Sequence, residues 1–129
     1  KLMSQIINGA KELYIVHDKL GTPTYTHDFS RNVKLLIEQG KTGLYNMVCQ
    51  GVTSRLEVAR ELVKQLGMNE HIKINEVSSD HFKKEYFAPR PASERLINAR
   101  LEKEGLDLMR DWKTSLNEYL NESYSDYLN

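Results

Sequence analysis

Hydroxyl and turn-forming residues are concentrated between positions 18 and 28, in the order Asp-Lys-Leu-Gly-Thr-Pro-Thr-Tyr-Thr-His-Asp. Thr22, Thr24, Tyr25 and Thr26 offer four hydroxyl groups, and the stretch leaves several backbone amides free. Such groups donate and accept the hydrogen bonds that a polar ligand such as a sugar requires. We therefore predict a polar binding loop that includes Pro23, because loops between rigid elements commonly carry binding residues. The alternative is an ordinary connection between a strand and a helix.

A second candidate binding residue is Arg90, which stands between Pro89 and Pro91. Proline restricts the backbone, so the guanidinium would be held on a stiff segment. A guanidinium can contact two phosphate oxygens at once, which a lysine ammonium does less well. The alternative is an ion pair with Glu85 or Glu94 at the surface.

The patterns of common catalytic and metal sites are missing from the 129 residues. A glycine-rich dinucleotide turn of the form Gly-x-x-Gly-x-x-Gly does not occur, so we predict no catalytic residue and no bound nicotinamide in this chain alone. The four histidines are scattered and the chain has one cysteine, so we also predict no metal site. His27 is the one histidine that could reach a ligand at the loop.

Charge and cysteine content exclude several classes of protein. Eighteen basic and eighteen acidic residues cancel, so no global field draws the chain to nucleic acid or to an anionic membrane. The single cysteine, Cys49, follows an apolar run and predicts a buried thiol in a reducing compartment. No apolar run is long enough to span a bilayer, and no signal peptide is visible at the first residues. We expect one cytoplasmic domain, and the start at Lys1 suggests a piece of a longer protein.

The first half of the chain reads as alternating helices and strands. Helical spacing of apolar residues predicts a helix over residues 2–12, followed by a strand over residues 13–16. A second helix should begin near Asp28, whose carboxylate would accept hydrogen bonds from the free amides of the next turn. The apolar stripe of this helix, which ends at Gly40, consists of Phe29, Val33, Leu36 and Ile37.

The second half begins with a predicted buried strand over residues 44–48. Ser54 and Glu57 form a capping box that opens a helix closed by Gly67, with an apolar face of Leu56, Ala59, Leu62, Val63 and Leu66. A half-buried strand follows over residues 72–77, then an irregular segment over residues 82–95 and a short helix over residues 96–103. The last helix places Trp112 in the core, and residues 121–129 should fray.

Several of these segments together resemble one enzyme family. The loop is similar to the Asp-Gln-x-Gly-x-Pro-Thr-Tyr-x-x-Asp segment of the dTDP-4-dehydrorhamnose reductases, a nucleotide-sugar branch of the extended short-chain dehydrogenase/reductases. The resemblance continues in order and spacing through residues 43–48, 51–54, 57–59, 90–93 and 106–120, so it covers roughly residues 2–120. The chain departs from the family pattern at Lys19, Arg55 and Leu56.

The resemblance implies an α/β fold, mostly helices with a few short strands, that forms the C-terminal, substrate-binding portion of such a reductase. An N-terminal dinucleotide-binding domain would supply NADPH or NADH and the catalytic tyrosine, and the substrate would be a dTDP-sugar of dTDP-L-rhamnose synthesis. Thr22, Pro23, Thr24, Tyr25 and Arg90 would line the substrate pocket, with Arg90 near the diphosphate. The segment at 44–48 would join the sheet of the absent domain, and without it the exposed edge predicts self-association into a homo-oligomer.

Three alternatives stay open at the sequence level. The parent protein could be a non-catalytic, sugar-nucleotide-binding or regulatory subunit with the same fold. It could instead be another nucleotide-sugar epimerase or dehydratase, since residues 55 and 56 depart from the reductase pattern. A helical interaction module is the third, because residues 112–127 carry several tyrosines along one predicted helix.

Overall fold

Helices and short strands alternate in the computed structural model, which describes residues 1–85, 88 and 90–127. The described residues form α1 (Leu2–Ile7), β1 (Glu12–Val16), α2 (Thr26–Glu38), α3 (Arg55–Gln65), β2 (Lys73–Val77), α4 (Ala99–Lys103) and α5 (Trp112–Ser123). Two 3-10 turns, Ser79–Phe82 and Ser125–Tyr127, complete the elements. The predicted mixture of helices with a few short strands is confirmed.

The two strands form a small parallel sheet that anchors the main core. Leu13 pairs with Ile74 and Val16 with Val77, so the whole connection containing α2 and α3 lies between the two strands in sequence. Buried side chains of β1 pack against α1, α3 and the end of α5, and this core consists of Met3, Ile6, Leu13, Ile15, Leu56, Ala59, Leu62, Val63, Leu66, Ile72 and Leu120. The predicted strands near residues 13–16 and 72–77 are both confirmed.

Helix α3 begins with the predicted capping box. The Ser54 hydroxyl accepts a hydrogen bond from the Glu57 amide at 3.1 Å, and the Glu57 carboxylate accepts one from the Ser54 amide at 2.9 Å. These bonds satisfy amides that have no partner within the helix. All five residues of its predicted apolar face are buried, and Gly67 follows the helix with φ of +65°.

Helix α1 is shorter than its periodicity predicts. It ends at Ile7 rather than near residue 12, and Gly9 has φ of +83°. A left-handed glycine ends a helix because the chain turns away from the helical axis there. Residues 8–11 therefore lead into β1 instead of extending α1.

The predicted buried strand at 44–48 is wrong. The segment forms no strand, and 84% of the Leu44 side chain is exposed. The sheet β1–β2 lies elsewhere, so the apolar run has no neighbouring strand among the described residues. Side chains hold it instead, because Asn98 bonds both the amide and the carbonyl of Val48, at 3.0 and 2.8 Å.

Helix α2 lies in the predicted part of the sequence, but the face that it buries is not the predicted apolar stripe. It buries Asp28, Asn32 and Leu36, whereas Phe29 and Ile37 are 41% and 72% exposed. The reason is a polar contact, since the Asn32 amide group donates to the Leu106 carbonyl and accepts from the Leu108 amide. Of the predicted apolar stripe, Phe29 and Ile37 therefore lie at the surface, Val33 is half-buried and Leu36 is buried.

Helix α4 begins at Ala99, three residues later than predicted, and ends before Gly105. Trp112 and Cys49 are buried as predicted, and with Met109 they form a second small core. Residues 121–123 belong to α5, Ser125–Tyr127 continue as a turn, and residues 128 and 129 lie outside the described part of the chain. Among the described residues, no helix has the length and apolarity that a membrane span requires.

Candidate functional site

The predicted binding loop, residues 22–25, is held by hydrogen bonds of Thr22, its first residue, and of the preceding Gly21. The Thr22 hydroxyl donates to the Gly51 carbonyl at 2.8 Å, and the Gly21 amide donates to the Thr53 carbonyl at 3.1 Å. Pro23 and Thr24 are exposed. The structure thus presents Pro23 and Thr24 to solvent from a base held by the segment before α3.

Tyr25 holds the other end of the loop through contacts of its hydroxyl group and its ring. Its hydroxyl donates to Glu122 at 2.6 Å and lies 2.9 Å from His27 Nδ1. Its ring packs against the second core and meets Tyr119 edge-on at 6.1 Å. Burial of the ring and the hydrogen bond to Glu122 raise the pKa of Tyr25 to about 12. Tyr25 is therefore a poor proton donor at neutral pH and acts as an anchor of the loop.

Three segments meet at Leu20, and we call residues 19–21, 53–55 and 90–95 the Leu20 junction. Leu20 forms a β-bridge to Ser54 on one side and to Ser93 on the other. Its amide donates to the Ala92 carbonyl and its carbonyl accepts from the Glu94 amide, both at 2.9 Å. A Cβ built on Gly21 would lie 4.0 Å from the Glu94 Cβ. The junction therefore brings the Arg90 segment directly against the base of the loop.

Arg90 lies at the surface of this junction. Its guanidinium is 3.8 Å from the Glu94 carboxylate, and 67% of the side chain is exposed. Its carbonyl accepts a hydrogen bond from Lys19 Nζ at 2.8 Å. The Glu94 contact is the ion pair considered from sequence, and at this exposure such a pair is worth little and can exchange for another anion. Pro89 lies outside the described residues.

The Leu20 junction is the most basic part of the site. Its three segments contain four basic residues, Lys19, Arg55, Arg90 and Arg95, and one acidic residue, Glu94. The Arg55 amide donates to the Lys19 carbonyl at 3.2 Å, which ties the start of α3 to the loop. A local excess of positive charge on a chain of zero net charge favours an anionic ligand. Sequence spacing alone did not reveal this set, because its members are up to 76 positions apart.

Asp28 is buried and has a different role from the predicted helix cap. Its carboxylate accepts hydrogen bonds from Arg110 Nε at 2.7 Å, from the Ser115 hydroxyl and from Arg31. Burial alone would raise the pKa of Asp28, but the hydrogen bonds from Ser115, Arg110 and Arg31 outweigh it and the pKa is lowered. Asp28 therefore stays ionised inside the protein, directly after the loop.

A second group of polar side chains lies beside Tyr25. His27, Glu118 and Glu122 bring one nitrogen and two carboxylate oxygens within 4.8 Å of one another. In this arrangement Arg110 pairs with Glu118, and Tyr25 and His27 share Glu122. The carboxylates are thus already engaged by a guanidinium, an imidazole and a hydroxyl. The spacing of Glu118 and Glu122, four residues apart on α5, is the sequence signal that could have indicated the group.

Comparison with known proteins gives a consistent result. A family model described as RmlD substrate binding domain matches residues 1–125. The spore coat polysaccharide biosynthesis protein SpsK of Bacillus subtilis is 30% identical over 123 residues, which are 95% of this chain and 41% of that protein. The dTDP-4-dehydrorhamnose reductase of Mycolicibacterium smegmatis is 29% identical over 115 residues, which are 88% of this chain and 34% of that protein.

Solved structures agree with the sequence comparison. A dTDP-4-dehydrorhamnose reductase from Clostridium acetobutylicum has a TM-score of 0.84 at 33% identity, covering 93% of this chain and 42% of that one. The reductase from Bacillus anthracis in complex with NADP has a TM-score of 0.82 at 24% identity, covering 95% and 42%. The chain spans about two fifths of the length of these structures. The predicted fold class, the C-terminal part of an extended short-chain dehydrogenase/reductase, is confirmed.

Proposed function

Because the chain belongs to the RmlD substrate-binding domain family, we propose that it is the substrate-binding part of an NAD(P)H-dependent dTDP-4-dehydrorhamnose reductase. The names of the relatives from M. smegmatis and C. acetobutylicum support this assignment. The parent protein would act in the cytoplasm, in dTDP-L-rhamnose synthesis. The observation that carries the proposal is the Leu20 junction, where four basic residues stand beside a loop of hydroxyl groups.

The loop and the Leu20 junction would contact different parts of the nucleotide sugar. Arg90, with the other cations of the junction, would hold the diphosphate, since guanidinium groups bind phosphate oxygens in pairs. Thr22, Pro23, Thr24 and Tyr25 would form the adjoining wall. The Thr24 hydroxyl is exposed and can turn to a sugar, whereas the Thr22 hydroxyl is engaged with Gly51.

The reacting groups would belong to the rest of the parent protein. Hydride would pass from the nicotinamide of NADPH or NADH to the 4-keto carbon, and a tyrosine outside these 129 residues would donate the proton. The NADP complex of the B. anthracis relative supports a nicotinamide cofactor. Tyr25 does not suit the proton donor, because its hydroxyl is bound to Glu122 and its pKa is about 12.

Two exposed surfaces would pack against the rest of the parent protein. Phe29, Val33 and Ile37 lie along one face of α2 and line a surface groove of about 460 Å³. The irregular segment at 44–48 has no strand partner among the described residues and exposes Leu44. The relatives are more than twice as long as this chain, so about three fifths of their length is available to cover these surfaces. We assign them to the dinucleotide-binding portion.

Another nucleotide sugar is the second candidate substrate. Many dTDP-4-dehydrorhamnose reductases, the family that the sequence resembles, carry two aromatic residues at the positions of Arg55 and Leu56. The similarity to SpsK, whose name gives polysaccharide synthesis and no reaction, fits this candidate equally well.

Titration of the ¹⁵N-labelled chain with dTDP, dTDP-rhamnose and UDP, followed by NMR, tests the proposal. We expect dTDP to shift the amide signals of residues 19–25 and 90–95 with weak affinity, because one wall of the cleft is absent. Arg90→Ala should weaken binding about tenfold, since a charge-assisted hydrogen bond contributes about 1.5–3 kcal/mol. Lys64→Ala, which removes an exposed cation from the far end of α3, is the matched control.

Each outcome has a separate meaning. No shift at the Leu20 junction at millimolar dTDP would reject the proposed function. Binding that is equal in wild type and Arg90→Ala would remove Arg90 from the site. Tighter binding of UDP than of dTDP would favour the second candidate substrate.

A further inference from the structure

The buried carboxylate of Asp28 stands three residues after Tyr25, at the point where the loop becomes α2. A buried ion pair adds little net stability, because removing both charges from water costs about as much as their attraction returns. Removing one partner is costly, since it leaves the other charge buried without compensation. Such a pair is therefore effective at fixing one geometry.

Arg110, the less exposed of the two arginines that pair with Asp28, belongs to the same unit that holds the start of the loop. The Gln50 amide donates to the Arg110 carbonyl at 2.8 Å, and the Trp112 amide donates to the Gln50 carbonyl at 3.1 Å. The next residue, Gly51, accepts the Thr22 hydroxyl at 2.8 Å. Residues 50–51 and 110–112 thus form one support, to which the loop is attached at Thr22 and again through Asp28.

We propose that Asp28 and Arg110 form a clamp that sets the position of residues 22–25 for nucleotide-sugar binding. This inference rests on the proposed function. Both residues are positioning residues, because they act through the loop and the Asp28 side chain is fully buried. Ser115 and Glu118 complete the clamp by binding Asp28 and Arg110 from α5. The loop is thereby tied to α5, whose residues lie more than 85 positions away.

Two substitutions test the clamp with little change of volume. Asp28→Asn removes the buried charge, and Arg110→Lys keeps the charge but loses the planar group that bridges Asp28 and Glu118. Each should weaken dTDP binding about tenfold in the NMR titration. Each should also speed hydrogen exchange of the Phe29 amide, which bonds the Tyr25 carbonyl, by at least tenfold. Exchange of the Leu66 amide, which lies at the end of α3 in the main core and reports global unfolding, should speed up less than exchange of the Phe29 amide.

Asn98→Ala is the control for a general loss of stability. Asn98 is as deeply buried as Asp28 but holds Val48, so its loss should leave dTDP affinity and Phe29 exchange unchanged. If Asp28→Asn does not fold, Ser115→Ala removes one donor to Asp28 and should show the same two effects at smaller size.

Wild-type dTDP affinity and Phe29 exchange in folded Asp28→Asn and Arg110→Lys would overturn the clamp. Equal changes in dTDP affinity and in Phe29 exchange in Asn98→Ala would also overturn the clamp, because the changes would then come from lower global stability alone. If the wild-type chain binds no dTDP, the proposed function fails, and faster Phe29 exchange in both variants would still support the clamp.

Discussion

Gly51→Ala is a sharp test of how the loop is supported. Gly51 has φ of +97°, and its carbonyl holds the Thr22 hydroxyl. A Cβ at this position would lie 2.8 Å from Trp112 Cδ1 and 3.1 Å from the Asp111 carboxylate. The indole cannot move aside easily, because Trp112 is only 4% exposed and packs in the second core.

The expected loss of stability has two parts. The left-handed backbone costs an alanine about 1–2 kcal/mol, and forcing a methyl group into a packed site costs about 1–3 kcal/mol. We therefore expect Gly51→Ala to lower the free energy of unfolding by about 2–5 kcal/mol, a large share of the stability of a small domain. Gly40→Ala is the matched control, since Gly40 has φ of +62° and no atom within 4 Å of the new Cβ. It should cost only the backbone part, about 1–2 kcal/mol.

Urea unfolding followed by fluorescence of Trp112, the one tryptophan of the chain, measures both variants. The slope of free energy against urea should be the same in all three proteins, so that the midpoints can be compared. Equal losses in Gly51→Ala and Gly40→Ala would refute the reasoning, because the contact with Trp112 would then contribute nothing.

Two further predictions concern the segment at 44–48 and α4. Asn98→Ala should cost about 1–3 kcal/mol in urea unfolding, because it leaves the half-buried amide and carbonyl of Val48 without their partner; the exposed Asn46→Ala should cost much less, and equal costs would contradict this. The Lys41 ammonium group, and next the Arg100 guanidinium, lower the pKa of the Glu104 carboxyl group from 4.5 to about 2. The hydrogen bonds of ionised Glu104 therefore contribute fully to stability above pH 4.5, and this contribution is lost as the pH falls toward 2. The stability difference between wild type and Glu104→Gln should therefore shrink between pH 4.5 and 2; a constant difference would contradict the assignment, and Glu102→Gln is the exposed control.

Features that depend on near neighbours in sequence could be predicted without the structure. The capping box needs only Ser54 and Glu57, three residues apart, because both partners lie in the same helical turn. The buried face of α3 follows from helical spacing for the same reason. The buried Cys49 was predicted from the apolar residues before it.

Features that depend on distant partners could not be predicted. The apolar spacing of α2 pointed to Phe29 and Ile37, but the helix buries Asp28 and Asn32 because residues 106–110 supply their hydrogen-bond partners. The segment at 44–48 has the composition of a strand, yet a strand also needs a neighbour to pair with. Composition reports which residues prefer burial and says nothing about which surface will cover them.

The candidate site likewise combines features that could be predicted from the sequence with features that could not. The sequence by itself determined that a hydroxyl-rich loop stands between β1 and α2, and that Arg90 lies in a proline-bounded segment far along the chain. Only the tertiary structure decided that both meet at Leu20, that Tyr25 is bound to Glu122, and that Asp28 is buried against Arg110. The physical reason is range: turn chemistry and helix capping act over a few residues, whereas the hydrogen bonds that assemble this site join residues about 30 to 97 positions apart.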